Sequence, residues 1–177
     1  DGTATRDGVV AALRPALKTA HVAFNELFSQ GGTLKRALDD ARDAERQARE
    51  NLARVRAGRA PLSTEAQRLL TELGDHGVQA IPVCDLVRIV DPEWQPVIEA
   101  YLKRNMEALL VSADHENDAF RIYRSLTGSQ AVYGAKIAME SRQTIGKRFE
   151  QGSVAELIDG DSPAAVAYLQ RQFGDLR

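Results

Sequence analysis

The clearest structural pattern in this chain is the segment Gly77-Val-Gln-Ala-Ile-Pro-Val-Cys-Asp-Leu-Val-Arg-Ile-Val-Asp-Pro-Glu-Trp-Gln-Pro-Val-Ile-Glu-Ala-Tyr-Leu-Lys-Arg-Asn-Met-Glu-Ala-Leu-Leu-Val111. Its part from Val83 to Val90 is rich in β-branched residues, which favour a half-buried strand. Asp91 can cap a helix and Pro92 fits a first helical turn, after which apolar residues recur on one helical face. Met106 to Val111 is a short apolar run typical of a covered strand. The segment therefore predicts strand, helix and strand.

The residues that follow extend this pattern. Asp114 can cap a helix that ends at Gly128, and Ala131 to Ile137 predicts a third strand. Two successive strand-helix-strand units favour a mostly parallel or mixed sheet. We therefore expect an α/β or α+β domain over residues 77–177, with helices covering a mixed sheet. Its predicted core consists of Val83, Leu86, Val87, Ile98, Leu102, Leu109, Val111, Ile122 and Ile137.

Two cap signals mark the C-terminal part. Ser153 and Glu156 match a capping box, in which each side chain satisfies a backbone N–H of the other, and predict a short helix. Ser162 followed by Pro163 predicts the start of a last helix, which Gly174 ends.

The N-terminal part carries apolar residues at alternating spacings of three and four, which is typical of a coiled coil. One such stripe covers Val10 to Leu27 and a second covers Leu34 to Val55, separated by Gly31-Gly32. The pattern predicts an antiparallel coiled-coil hairpin over residues 1–58. Residues 59–76 are expected to form a linker with a short helix that Ser63 starts.

Composition limits the function classes. The chain has 177 residues, 44% of them hydrophobic, which suffices for one sizeable core, and a net charge of −2, so any contact with a polyanion must be local. The single cysteine, Cys84, cannot form an internal disulfide and is expected to be a small buried hydrophobe in a reducing compartment. The chain shows no leader, lipidation motif or spanning apolar run, so we expect a cytoplasmic protein that makes no membrane contact.

Signatures of catalysis are missing from the sequence. It contains no phosphate-binding glycine loop, no nucleophile elbow, and no paired Cys or His at metal-binding spacing. His21, His76 and His115 are scattered, and the acidic residues around Asp114 suit a helix N-terminus. We therefore expect no catalytic residue, no metal and no cofactor. An enzymatic function ranks third, after two non-enzymatic functions.

Positive charge is concentrated in one region. Between positions 121 and 148 the sequence has six basic residues and a single acid, Glu140. If the basic residues cluster on one side of the domain, they can neutralise phosphates regardless of base sequence. The alternative is an ordinary solvated surface. The candidate DNA-binding residues are Arg121, Arg124, Lys136, Arg142, Lys147 and Arg148.

Several stretches together resemble the hinge of SMC-type chromosome-organising ATPases, most closely the MukB-like branch that includes MksB and the JetC proteins of Wadjet plasmid-defence systems. They cover roughly the last 100 of the 177 residues and carry no catalytic motif. The stretches are Val83-Cys-Asp-Leu-Val-Arg-Ile-Val-Asp91, Ile98-Glu-Ala-Tyr-Leu102, Leu109-Leu-Val111, Val132-Tyr-Gly-Ala-Lys136 and Gly152-Ser-Val-Ala-Glu-Leu-Ile158.

The resemblance implies a bacterial, nucleoid-associated dimerisation hinge that acts in chromosome organisation or in plasmid defence, with the ATPase heads elsewhere in the parent protein. Its partners would be a second copy and, weakly, DNA, whereas kleisin and accessory subunits would bind elsewhere. In that family the arm strands flank the hinge, while both heptad stretches here precede it. Residues 1–30 are therefore either incoming arm or a relocated outgoing strand.

A hinge needs a two-fold contact, for which the C-terminal elements are the candidates. The expected interface residues are Leu157, Ile158, Tyr168 and Phe173, with an intramolecular core as the alternative for all four. A non-enzymatic adaptor or scaffold, whose helical hairpin binds a partner, is the alternative function.

Overall fold

The computed structural model describes residues 6–146, Phe149 and residues 152–174. It shows a helix-rich mixed α/β chain, as predicted in outline. The helices are α1 (Arg6–Arg56), α2 (Thr64–Asp75), α3 (Gln95–Leu102), α4 (Glu116–Ser125) and α5 (Pro163–Phe173). The strands are β1 (Ala80–Pro82), β2 (Val87–Ile89), β3 (Leu109–Val111), β4 (Ile137–Met139) and β5 (Ile158–Gly160).

The chain divides into two compact units, an N-terminal unit Asp1–Arg49 and a C-terminal unit Glu50–Arg177. The described part of the N-terminal unit is α1 alone. The C-terminal unit contains the end of α1 and all the strands named above. Among the described residues, no helix is long and apolar enough to cross a membrane.

The predicted N-terminal hairpin is wrong, because α1 is one continuous helix of 51 residues. Gly31 and Gly32 lie inside it with no left-handed backbone, and Pro15 also lies within it. A glycine in a helix interior costs only about 1 kcal/mol relative to alanine. The hydrogen-bonded turns on both sides of the glycine pair offset this cost. Gly31 occupies a position of the same register, so the alternation of three and four continues from Val10 to Val55, with Glu45 as its one charged member.

The strands form two small sheets. The first has the order β1-β3-β4, in which β1 pairs antiparallel with β3 and β4 pairs parallel with β3. The second joins β2 and β5 antiparallel. The mixed sheet is therefore confirmed, and β4 lies at one of its edges.

Two predicted strands differ in position from the observed ones. Of the expected strand over Val83–Val90, only Val87–Ile89 is a strand, β2, because Val83–Asp85 forms a 3₁₀ turn. This turn separates β2 from β1, which belongs to the other sheet. The third strand begins only at Ile137, since a turn with a left-handed Gly134 precedes it. Gly134 has a φ of 85°, a backbone conformation in which any side chain is strained, so this position favours glycine.

The predicted core is confirmed. Six of its members are buried, namely Val83, Ile98, Leu102, Leu109, Val111 and Ile122, while Leu86, Val87 and Ile137 are half-buried against the same clusters. One cluster lies around α3 and α5, and the other lies around α2, β3 and α4. The linker helix α2 contributes Leu69 and Leu73 to the second cluster.

The expected two-fold interface falls in this core. Ile158, Tyr168 and Phe173 are only 4%, 6% and 7% exposed in a single chain, and Leu157 is half-buried against the same cluster. Side chains that their own chain already covers have almost no surface left for a second copy. The interface assignment is therefore wrong for Ile158, Tyr168 and Phe173, and the intramolecular alternative is right for them.

One cap prediction is confirmed and the other is not. Ser162 Oγ accepts the Ala165 N–H at 3.3 Å and starts α5, with Pro163 in its first turn. Glu156, in contrast, accepts the N–H of Gly152 at 2.8 Å rather than that of Ser153. The segment Val154–Leu157 is accordingly a 3₁₀ turn without a side-chain cap instead of a boxed helix.

The last turns of α1 are fixed within the C-terminal unit. The Arg54 guanidinium forms two hydrogen bonds with the Asp85 carboxylate, at 2.7 and 3.1 Å, and its Nε donates to the Ala60 carbonyl at 2.8 Å. Both side chains of this ion pair are less than one-tenth exposed. The side chain of Asn51 adds reciprocal hydrogen bonds to the backbone of Leu62, both 3.0 Å long. A residue on the long helix is thus built into the interior of the folded unit.

Candidate nucleic-acid interface

A concave surface of basic and aromatic residues lies where α4, β4 and α5 meet. The cavity has a volume of about 360 Å³. Its lining includes two aromatic residues of α4, the strand β4, and Tyr168 of α5, together with three cationic side chains, Lys136, Arg142 and Arg171. No carboxylate belongs to this lining among the residues that the structure describes. We call this surface the basic cavity.

Lys136 is held at the cavity by Asn105. Its Nζ donates to the Asn105 side-chain oxygen at 2.7 Å, and the Tyr168 hydroxyl donates to the same oxygen at 3.2 Å. Burial raises the pKa of the Tyr168 hydroxyl, and the charge of Arg171 opposes this shift. The phenol therefore stays protonated near neutral pH and can keep donating to Asn105, while the charge of Lys136 is left without a carboxylate partner in the described chain.

Arg142 and Arg171 bring further positive charge. Both side chains are exposed, and Arg171 reaches the backbone carbonyl of Arg142 at 3.5 Å. Neither arginine forms an ion pair within residues 6–146 and 152–174. Two of the predicted DNA-binding residues, Lys136 and Arg142, are therefore brought together with an arginine that sequence reasoning missed.

The two candidate residues on α4 lie beside this group in different ways. The Arg124 guanidinium lies 5.2 Å from the centre of the Phe120 ring, which itself lines the cavity. Arg121 forms a 2.9 Å ion pair with Asp118, which offsets its charge. The remaining candidates, Lys147 and Arg148, lie outside the described residues.

The sequence feature that points to Arg171 is its position on the predicted last helix, and not the local density of basic residues. Residues 163–173 form a helix whose Tyr168, Leu169 and Phe173 face the core, and Arg171 is the basic residue of its last turn. Arg171 is distant in sequence from residues 121–148, so a search for local charge density could not include it. Only the packing of α5 near β4 joins them.

A second exposed surface is apolar. Trp94, Val97 and Tyr101 are 46%, 58% and 53% exposed at the start of α3 and along it, and Val90 just before them is 58% exposed. Tyr101 stacks on Phe173 with ring centres 4.9 Å apart, so one side of its ring is already fixed. Trp and Tyr are the residues that most often anchor protein interfaces. We call these four residues the α3 patch.

Other reactive groups show no catalytic arrangement within the described residues. Burial is the main cause that raises the pKa of the Cys84 thiol to about 12, so at neutral pH the thiol is protonated and a poor nucleophile. The Cys84 side chain is half-buried beside Asp85 rather than fully enclosed. His21 and His76 are exposed, and the ring of His115 pairs locally with the Ser112 hydroxyl at 3.1 Å. No group of three metal-binding side chains occurs in the part of the chain that the structure describes.

Comparisons of the chain with protein-family models, with curated proteins and with solved structures found no match.

Proposed function

We propose that this chain is the dimerisation hinge, with adjoining coiled-coil arm, of a MukB-like SMC protein that acts in DNA loop organisation or plasmid defence. The observation that carries the proposal is α1 itself. An apolar stripe with heptad spacing runs along it to Val55, next to Arg54, which is buried in the α/β unit. A helix of 51 residues is about 75 Å long, far longer than the core of a small domain requires.

The stripe on α1 calls for a partner helix. Leu17, Phe24, Leu27 and Leu34 are between 64% and 71% exposed, and a stripe this regular is stable when a second helix covers it. In a hinge, the other strand of the arm would cover it. The adaptor alternative rests on the same stripe, with an unrelated partner helix in that place.

Self-association through the α3 patch is the second part of the proposal. The acids Asp91 and Glu93 precede α3, and Lys103 follows it. When two copies of a helix pack antiparallel about a two-fold axis, the acidic end of one meets the basic end of the other. Glu93 and Lys103 are exposed and form no ion pair among the described residues, so both are free for this contact. The charge pattern therefore favours a second copy as the occupant of the patch.

Sedimentation equilibrium at several concentrations tests this interface. The chain is expected to dimerise, and Trp94→Glu is expected to weaken the dimer at least about tenfold, because it places a charge at the centre of an apolar contact. Ile81→Glu is the matched control, since Ile81 is 48% exposed, close to Trp94 at 46%, but lies on β1. Leu27→Glu tests whether the chain associates through the α1 stripe instead, because Leu27 is an exposed member of that stripe. A chain that stays monomeric at all concentrations contradicts the hinge, and an unchanged Trp94→Glu dimer removes the α3 patch.

The DNA contact predicts a salt-dependent, sequence-independent affinity for duplex DNA. Each neutralised phosphate adds about 0.9 to the slope of log affinity against log salt, so Lys136→Glu with Arg142→Glu should lower the slope by about 2. Arg88→Glu is the control, because Arg88 lies on β2, outside the cavity lining and the candidate DNA-binding residues. Titrations at several salt concentrations measure the slope. If the double variant and the control shift it equally, the basic cavity has no special part in binding.

A further inference from the structure

The basic cavity combines an exposed aromatic ring with unpaired positive charge. Phe120 is 45% exposed at its lining, and the guanidinium of Arg124 lies against the ring at 5.2 Å. Nucleobases stack on aromatic side chains in proteins that bind single strands, and an arginine next to the ring strengthens such a platform. The cavity thus offers more than a basic surface needs for contacting phosphates alone.

The cations are placed for a phosphate. Arg142 and Arg171 belong to the same lining as Phe120, and neither has a carboxylate partner in the described ranges. Arginine presents a planar set of N–H donors that matches phosphate oxygens. The strand β4 adds backbone groups, because in a parallel pair alternate residues bond to the neighbour. The Lys136 carbonyl accepts the N–H of Leu109, so the backbone of Lys136 is directed to β3. The N–H groups of Ile137 and Met139 are therefore directed to the free edge of the sheet.

Size distinguishes an unpaired base from a duplex. A volume of about 360 Å³ is within the range of small-molecule pockets and accommodates one nucleotide, whereas a double helix has its bases stacked and paired inside. A base can reach the Phe120 ring only when it is out of the stack.

We infer that the basic cavity binds one unstacked nucleotide, whose base stacks on Phe120 and whose phosphate contacts Arg142 and Arg171. The inference extends the DNA contact in the proposed function and rests on it for the biological source of the ligand. A single-stranded segment and a free nucleotide share this chemistry, and the two are separated by the length of the probe.

Fluorescence anisotropy with an oligothymidylate of about ten nucleotides tests the inference. Phe120→Ala is expected to weaken its binding about tenfold, the usual effect of losing one stacking platform, and to leave duplex binding unchanged. Arg171→Glu is expected to weaken the binding of both the oligothymidylate and the duplex. The control Arg88→Glu should change either affinity less than about twofold, because Arg88 lies on β2, outside the cavity lining and the candidate DNA-binding residues. Circular dichroism melting confirms that each variant is folded.

Competition identifies the ligand. Thymidine monophosphate that competes as well as the oligonucleotide makes a free nucleotide the ligand, and weaker competition makes it a strand. Inorganic phosphate that competes equally well overturns the base contact, as does a Phe120→Ala variant that binds oligothymidylate normally. These outcomes leave the sedimentation result untouched, so a failed cavity and a failed hinge are told apart.

Discussion

Arg54→Ala is expected to lower the free energy of unfolding of the C-terminal unit by about 3–5 kcal/mol, because it leaves the Asp85 carboxylate buried without its partner. Arg54 and Asp85 are 8% and 9% exposed, and two hydrogen bonds of 2.7 and 3.1 Å join them. The substitution also removes the Arg54 bond to the Ala60 carbonyl. Chemical denaturation followed by the fluorescence of the single tryptophan, Trp94, reports on this unit.

Arg59→Ala is the matched control for Arg54. Its guanidinium also approaches Asp85, at 3.8 Å, but the side chain is 53% exposed, and exposed ion pairs contribute about 0–1 kcal/mol. The paired variant Arg54→Met with Asp85→Leu should recover much of the loss, since it removes both charges together. A loss below about 1 kcal/mol for Arg54→Ala would mean that water reaches Asp85 and that the end of α1 is not fixed by this pair.

The continuous α1 shows what local rules miss. Gly31-Gly32 is a common turn signal, and the hairpin prediction followed from it. The heptad register is the longer-range signal, because a turn resets the phase of a stripe while a continuous helix keeps it. Counting across the glycines, from Leu27 to Gly31 to Leu34, gives the same alternation of four and three as elsewhere. The sequence therefore contained the correct answer, in the spacing rather than in the residue type.

The α/β unit was predictable where caps and periodicity coincide. The start of α5 at Ser162-Pro163 follows from local chemistry, and so does its stop at Gly174. The turn that replaces the first part of the expected strand Val83–Val90 was not predictable, because it is determined by distant groups. The N–H groups of Val83 and Cys84 donate to the carbonyls of Ala108 and Met106, each at 2.8 Å. Residues more than 20 positions away thus decide where β1 ends.

The candidate site was predictable in part for the same reason. Lys136 and Arg142 are close in sequence, and their common charge was visible. The aromatic half of the basic cavity and Arg171 come from helices that tertiary packing brings to the edge of β4. The apolar residues of α5 presented the opposite problem, because a helix pattern shows which residues share a face but not whether a domain or a second copy covers that face.

Leu109→Ala is the second substitution with a large expected effect, a loss of about 2–5 kcal/mol in the free energy of unfolding. Leu109 is 0% exposed in β3, the central strand of the sheet, where it pairs with Pro82 on one side and with Ile137 on the other. Removing most of its side chain forfeits the burial of apolar surface and leaves a cavity that a strand held on both edges cannot close.

Ile81→Ala is the control for Leu109, because Ile81 lies in the adjacent strand β1 and pairs with Leu110 but is 48% exposed. Its loss should stay within about 1 kcal/mol, since surface substitutions remove little buried area. Denaturation curves with equal slopes for both variants allow the two free energies to be compared directly. If Leu109→Ala cost no more than Ile81→Ala, β3 could not be the covered central strand. The basic cavity at the edge of β4 would then lose the rigid sheet that positions Lys136.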